Sequence, residues 1–214
     1  PLHWASVAAF DGDEVLDGSL GCRRCGATYP VEDGVAVVVR DAAGFLEGPR
    51  TDPALSTYLW ADYLRHTDPL PIGLRPDPHP VQLLVPEIRP AWNVLDLGCG
   101  TGGSTFTVAA AGAAFALGVD VSWERIEAAI RLLRTGRYPV AVSTAVGHTE
   151  EVLIDRPDLR GAACDFLVGD AVDPPLAAES RDALVLGMVY DTVRAPGLLL
   201  GQAGALLRDG GLLL

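Results

Sequence analysis

"VLDLGCGTGG", residues 94–103, joins a run of apolar residues to a turn that is almost all glycine, with one acid, Asp96, just before the turn. The preceding "NVLDL" reads as a buried strand, and "STFTVAAAG" after the turn as a helix. The alternation then repeats. "AFALGVD" is a strand and "SWERIEAAIRLLRTG" an amphipathic helix opening on a serine cap. "DFLVGD" and "DALVLGMV" are strands, "PGLLLGQAGALLRDGG" is a helix, and the final "LLL" starts another strand. Apolar strands alternating with helices predict an α/β fold with a parallel sheet covered on both faces. Between residues 135 and 164 the pattern is weaker, and "GHTEEVLIDRP" reads as a short helix.

The chain in front of this unit is organised differently. Residues 1–48 predict a small β-rich unit, with "VEDGVAVVV" as an acidic turn followed by a β-branched strand. Residues 49–90 are rich in proline and predict a linker. It carries one helix at 54–66, where Leu55, Tyr58, Leu59, Tyr63 and Leu64 recur near helical spacing, and a second at 79–88. The first is placed to fold over the mouth of the domain as a lid, and the domain itself occupies 91–214. Pro1 is not a start residue and "GGLLL" stops inside a predicted strand, so the reading expects a piece of a longer protein.

Composition narrows the partners. Of 214 residues, 49% are hydrophobic and 21% charged, enough apolar material for a sizeable core. The formal net charge of −12 disfavours long nucleic acid as a partner. Leu97 to Val119 is charge-free and long enough to span a bilayer, but Gly98, Gly100, Gly102, Gly103 and Gly112 argue against a membrane helix. No basic-then-apolar leader opens the chain. Four cysteines with only one close pair are no disulfide framework and fit a reducing, cytoplasmic setting.

The glycine turn stands where open parallel sheets bind ligands, at the carboxyl end of a strand. A phosphate loop needs a Gly-Lys-Ser/Thr ending, and no lysine is present. The G-x-G-x-x-G spacing of a dinucleotide site is met literally by Gly98, Gly100 and Gly103, which keeps a nicotinamide dehydrogenase in view. Asp96 opposes it, because a carboxylate beside the turn repels pyrophosphate and suits a cationic or amine-bearing group. Asp120 ends the second strand, placed to accept the hydroxyls of a ribose. Asp170 ends the third, placed to accept from an exocyclic amine. Together the three acids describe a nucleoside joined to an amino acid, without phosphate. Taken singly, Asp96 also suits a turn cap, Asp120 a helix cap and Trp123 simple packing.

"VLDLGCGTGG", "GVDVS", "VGDAVDPP" and "LLRDGGLLL" resemble, in order and spacing, the successive motifs of class I S-adenosylmethionine-dependent methyltransferases. The resemblance covers about residues 91–214 and implies a Rossmann-like sheet with S-adenosyl-L-methionine as cofactor. It implies Asp96, Gly98 and Gly100 on the methionine side, Asp120 on the ribose, and Ser122 and Trp123 flanking the adenine. Asp170 and Ala171 would contact the adenine edge, and Gly187 and Met188 would face the methyl group. Asp209 stands where the family usually has proline. The activity implied is methyl transfer to a small-molecule or protein acceptor. The rival reading is a non-catalytic, nucleoside-binding scaffold whose front unit docks a protein.

Methyl transfer needs a general base only when the acceptor arrives protonated. Tyr190 and Asp191 follow the fourth strand, where acceptors approach, and are the candidates for orientation or base. His66, His79 and His148 suit surface roles better. At the front, Cys22 and Cys25 lie on one knuckle in "CRRCGATYPV", suited to grip one side of a zinc ion. The segment resembles the second half of short zinc-ribbon-like domains joined to some methyltransferases, which implies zinc in the intact protein with the other ligand pair upstream of Pro1.

Overall fold

The structure, a computed structural model, describes residues 2–12, 14–64, 80–83, 85–145, 148–187 and 189–214. The alternating part forms as its apolar pattern requires. Strands β5 (Asn93–Leu97), β6 (Phe115–Asp120), β9 (Cys164–Gly169), β10 (Arg181–Val185) and β11 (Leu207–Leu213) are parallel neighbours in the order β9-β6-β5-β10-β11. Strand order reverses at β5, which puts the glycine turn at the switch point.

Side-chain alternation along β5 separates two cores. Leu95 and Leu97, both fully buried, face one side with Val119, Leu184 and helix α5 (Pro196–Leu206). Val94 faces the other with Phe106 of α3 (Gly103–Ala110) and with Ile126, Ala129 and Ile130 of α4 (Trp123–Thr135). Each leucine buried this way contributes about 1.5–3 kcal/mol. Asp96 shares the parity of Val94 and therefore points toward α3. Gly118 of β6 has no side chain because Phe166 lies across it; a Cβ there would stand 2.5 Å from the Phe166 ring. Helix α4 ends at Gly136, whose φ of +69° makes the left-handed turn and whose N–H returns to the Leu132 carbonyl at 2.8 Å.

The front unit is a meander of β1 (Leu2–Asp11), β2 (Glu14–Cys22), β3 (Thr28–Glu32) and β4 (Val35–Val38), followed by α1 (Ala42–Glu47). Asp33 and Gly34, with φ of +51° and +77°, form the tight hairpin turn between β3 and β4. The meander is not separate from the domain. β4 pairs in parallel with β9, Val37 opposite Val168 and Val38 opposite Gly169, so one sheet of nine strands runs through both units.

Four stretches depart from the sequence pattern. Residues 207–211 do not extend the preceding helix but open β11, where Arg181 of β10 stands opposite Leu207. Residues 148–155 do not form a helix: β7 (Arg137–Ala145) and β8 (His148–Asp155) make a separate antiparallel hairpin, and a 3-10 turn starts only at Pro157–Leu159. Val140 and Ile154 are buried on its inner face, and cross-strand pairing of Val140 with Val152 and of Tyr138 with Ile154 outweighs the local acidic run. The 54–66 helix is shorter, α2 (Leu55–Leu59) continuing into a π-helical turn at Trp60–Leu64; residues 65 and 66 lie outside the described residues. Residues 80–83 and 85–87 form two 3-10 turns, Pro80–Leu83 and Val85–Glu87, with Pro86 inside the second. Among the described residues no helix is long and apolar enough to cross a membrane. The charge-free stretch 97–119 is divided among a strand end, the glycine turn, α3 and β6.

Candidate functional site

The turn from β5 to α3 is built on positive φ. Gly98, Gly100 and Gly102 have φ of +76°, +56° and +90°. A Cβ on Gly98 would stand 2.6 Å from Val189, and one on Gly102 would stand 2.8 Å from Phe166, so at these two positions a side chain is excluded by space as well as by conformation. The turn is tied back to β6, with the Gly98 N–H on the Val119 carbonyl at 2.8 Å.

Two of the three predicted acids converge on this turn. Asp96 is 2% exposed. Its Oδ2 accepts from Ser104 Oγ and, at 2.7 Å, from Thr105 Oγ1, both in the first turn of α3. Burial pushes its carboxyl up to about 6, against the two hydroxyl bonds that favour the anion. Asp120 sits at the tip of β6, 7% exposed. Its Oδ2 accepts from the Gly100 N–H at 3.0 Å and its Oδ1 from the Ser122 N–H at 2.9 Å. Asp170, one residue past β9, is exposed, and its Oδ1 accepts from the Val172 N–H at 2.9 Å. The three acids thus stand at the carboxyl ends of three adjacent strands, β5, β6 and β9.

The other predicted residues are spread around this centre. Ser122 occupies the N-cap position of α4, but its Oγ donates to Asp52 Oδ2 at 3.1 Å and makes no capping bond to the helix. Trp123 is buried, with the Arg50 guanidinium 4.5 Å from its ring centroid. Ala171 packs against the α5-side core. Gly187 follows β10 and faces open space. Tyr190, 48% exposed, and Asp191, also exposed, lie beyond it on the surface. Met188 lies outside the described residues, as do His66 and His79, whereas His148 is exposed on β8.

A second group comes from the 54–66 segment, expected over the mouth of the domain, although none of its residues was singled out for the site. The segment carrying α2 lies directly on the glycine turn. Asp62 Oδ2 accepts from Thr101 Oγ1 at 2.5 Å and from the Gly103 N–H at 3.3 Å, at the start of α3. Tyr63, buried, donates its hydroxyl to the Thr101 carbonyl at 2.6 Å. Tyr58 is the nearest group to a Cβ built on Gly100, at 3.5 Å. Its ring is covered by Arg125 of α4, the guanidinium 3.7 Å from the centroid. Arg125 Nε donates to Asp52 Oδ2 at 2.5 Å. Burial opposes ionisation of Asp52, but the Ala54 N–H and Arg125 outweigh it and hold the carboxyl below its ordinary range. Tyr58 and Tyr63 read in the sequence only as an apolar helix face, and Asp62 only as a polar one.

At the front, Cys22 and Cys25 lie on a closed knuckle, the Gly26 N–H on the Cys22 carbonyl at 2.9 Å. Backbone N–H groups of Cys25 and Arg24 hold the Cys22 thiol below its ordinary range. Among the described residues no group of three or more His, Cys, Asp or Glu is arranged to hold a metal ion. Two thiols are half of a tetrahedral structural site, so these residues alone do not fit zinc. Cys99 and Cys164 are buried and unbridged.

No curated protein matches the chain. Among solved structures, the YcgJ protein of Bacillus subtilis is similar at 17% identity and a TM-score of 0.46, over 60% of this chain and 45% of that one. A SAM-dependent methyltransferase from Methanosarcina mazei gives 18% identity and a TM-score of 0.42, over 62% of this chain and 54% of that one. A protein of Pyrococcus horikoshii gives 20% and 0.45, over 61% and 50%. The chain spans about half the length of these structures. The family described as "Methyltransferase domain" matches residues 95–214, more than half of the chain. That span begins inside β5, just before the glycine turn, and takes in Asp96, Asp120 and Asp170, and the chain therefore belongs to the methyltransferase-domain family.

Proposed function

We propose that the protein is an S-adenosyl-L-methionine-dependent methyltransferase acting on a small-molecule or protein acceptor. The observation that carries this reading is the set of carboxylates Asp96, Asp120 and Asp170 at three adjacent strand tips around a turn with no basic residue. Such a donor set suits a cationic nucleoside and repels a pyrophosphate. Asp120 is the residue for the ribose, and Asp170 with Ala171 for the edge of the base, flanked by Ser122 and Trp123. Asp96, Gly98 and Gly100 serve the methionine side. Gly187 opens the space toward the acceptor, and Met188 is the further candidate there.

When bound, the cofactor supplies a methyl group on a sulfonium, which already has a good leaving group. The chain's own task is then positioning and exclusion of water. The segment 52–64 contributes to both, because Tyr58, Asp62 and Tyr63 cover the turn on which the donor would lie. Tyr190 and Asp191, exposed beyond β10, are the candidates to orient an acceptor and to take its proton where it carries one.

The test is calorimetry with S-adenosylhomocysteine, paired with a methyl-transfer screen over small-molecule and protein acceptors. Micromolar binding with turnover supports the reading. Binding without turnover on any acceptor favours a nucleoside-binding scaffold, and absence of binding overturns both.

A further inference from the structure

A groove of about 780 Å³ opens at the carboxyl ends of three neighbouring strands, β4, β9 and β6. Its size is that of small-molecule sites. Val39 and Phe45 of the front unit line it on one side, Val121 and Val172 of the methyltransferase domain on the other, with Asp170 between them. Across its rim Arg40 is paired with Asp173.

We infer that the front unit completes the nucleobase end of the donor site, with Phe45 packing against the base. This rests on the proposed function and adds to it residues outside the family match, which begins at residue 95. A ribose held by Asp120 sits at the tip of β6. Neighbouring strands lie about 4.8 Å apart, so the attached base extends over β9, whose tip is Asp170, and toward the next strand. That next strand is β4, held in register by the Val37–Val168 and Val38–Gly169 pairs. Without β4 the base would meet water at a sheet edge; with it, the base enters a lined groove.

The lining selects the ligand class. Val121 is 61% exposed and Leu198 52%, so large apolar side chains stand uncovered in the groove. A flat heteroaromatic ring covers such surface. The carboxylates of Asp41, Asp170 and Asp173 outnumber the one guanidinium, Arg40, which disfavours an anion and suits a neutral ring with an N–H donor at its edge.

The experiment titrates S-adenosylhomocysteine and 5′-methylthioadenosine into the full chain, wild type and Phe45→Ala. Phe45→Leu, which keeps the apolar packing, is measured beside them, and a thermal melt confirms folding. Loss of the ring should weaken both ligands by the same factor, about tenfold, because both carry the base. Phe45→Leu should fall between wild type and Phe45→Ala. Unchanged affinities in both variants, or a loss confined to S-adenosylhomocysteine, overturn the inference while leaving the proposed function standing. A wild-type chain that binds neither ligand removes the proposed function, and the inference with it.

Discussion

The Gly100 N–H donates to Asp120 Oδ2 at 3.0 Å, so the acid at the tip of the second domain strand holds the centre of the glycine turn at the tip of the first. The acid therefore shapes the turn, and under the proposed function it would also accept the ribose. Asp120→Ala should weaken S-adenosylhomocysteine by about 5- to 150-fold, the 1–3 kcal/mol of buried polar groups left unpaired. Asp120→Asn keeps one carbonyl acceptor and should lose less. Calorimetry on the two variants checks the order, and equal affinities for wild type and Asp120→Ala would remove Asp120 from the site.

Asp96 predicts a pH dependence of stability. Its carboxyl is raised from 3.8 to about 6 by burial, so the folded protein binds this proton more tightly than the unfolded chain. Its contribution is greatest below about pH 4, is lost as pH rises to about 6, and is flat above that. Asp96→Asn removes the loss. Relative to wild type, the variant should gain on the order of 3 kcal/mol between pH 4 and pH 7. Urea midpoints at both pH values measure it. The wild-type curve alone is not the readout, because Asp52, whose carboxyl is lowered, acts in the opposite sense.

The covering segment predicts a coupling between stability and binding. Leu59, Tyr63 and Leu64 are buried, so removing this segment would disrupt the core itself. Point changes are the cleaner probe. Tyr63→Phe deletes the bond to the Thr101 carbonyl and should cost about 1–2 kcal/mol, since the carbonyl is left without its donor. Arg125→Met removes the clasp on Asp52 and Tyr58. It should speed hydrogen exchange at residues 55–64, raise the off-rate of S-adenosylhomocysteine and lower the melting temperature, because the largely buried Asp52 carboxylate loses its cation.

The cysteines divide by burial. Cys22 and Cys25 are accessible, whereas Cys99 and Cys164 are 4% and 6% exposed. Burial raises the Cys99 thiol well above its ordinary range and pushes that of Cys164 up to about 12. A thiol reagent at pH 7 should therefore modify two groups quickly and two only on unfolding. Cys22→Ser should halve the fast amplitude.

The strands β5, β6, β9 and β10 were legible because each is an apolar run ending near a turn residue or an acid, a local signal; the start of β11 was not, because Arg208, Asp209 and two glycines read as the end of a helix. "NVLDL" is β5 without adjustment. The hairpin β7–β8 was not, because Glu150 and Glu151 interrupt the alternation that Val152 and Ile154 resume, and only pairing with β7 makes it a strand. The acids Asp96, Asp120 and Asp170 could be placed at strand tips, but not the partners that hold them. Asp62 reaches the Gly103 N–H across 41 positions of chain, and Asp52 reaches Ser122 across 70. No periodicity records contacts of that separation. The same holds for β4, which reads as a strand yet gives no sign that its neighbour is β9.

That last pairing bears on synthesis of the chain. Arg40 and Asp173, which close it, are separated by 133 residues. At a translation rate of about 5–20 residues per second, the outer edge of β4 waits roughly 7–25 s for its neighbour to be made. Throughout that interval a nascent valine-rich ribbon offers unsatisfied amides and carbonyls to any other chain in reach.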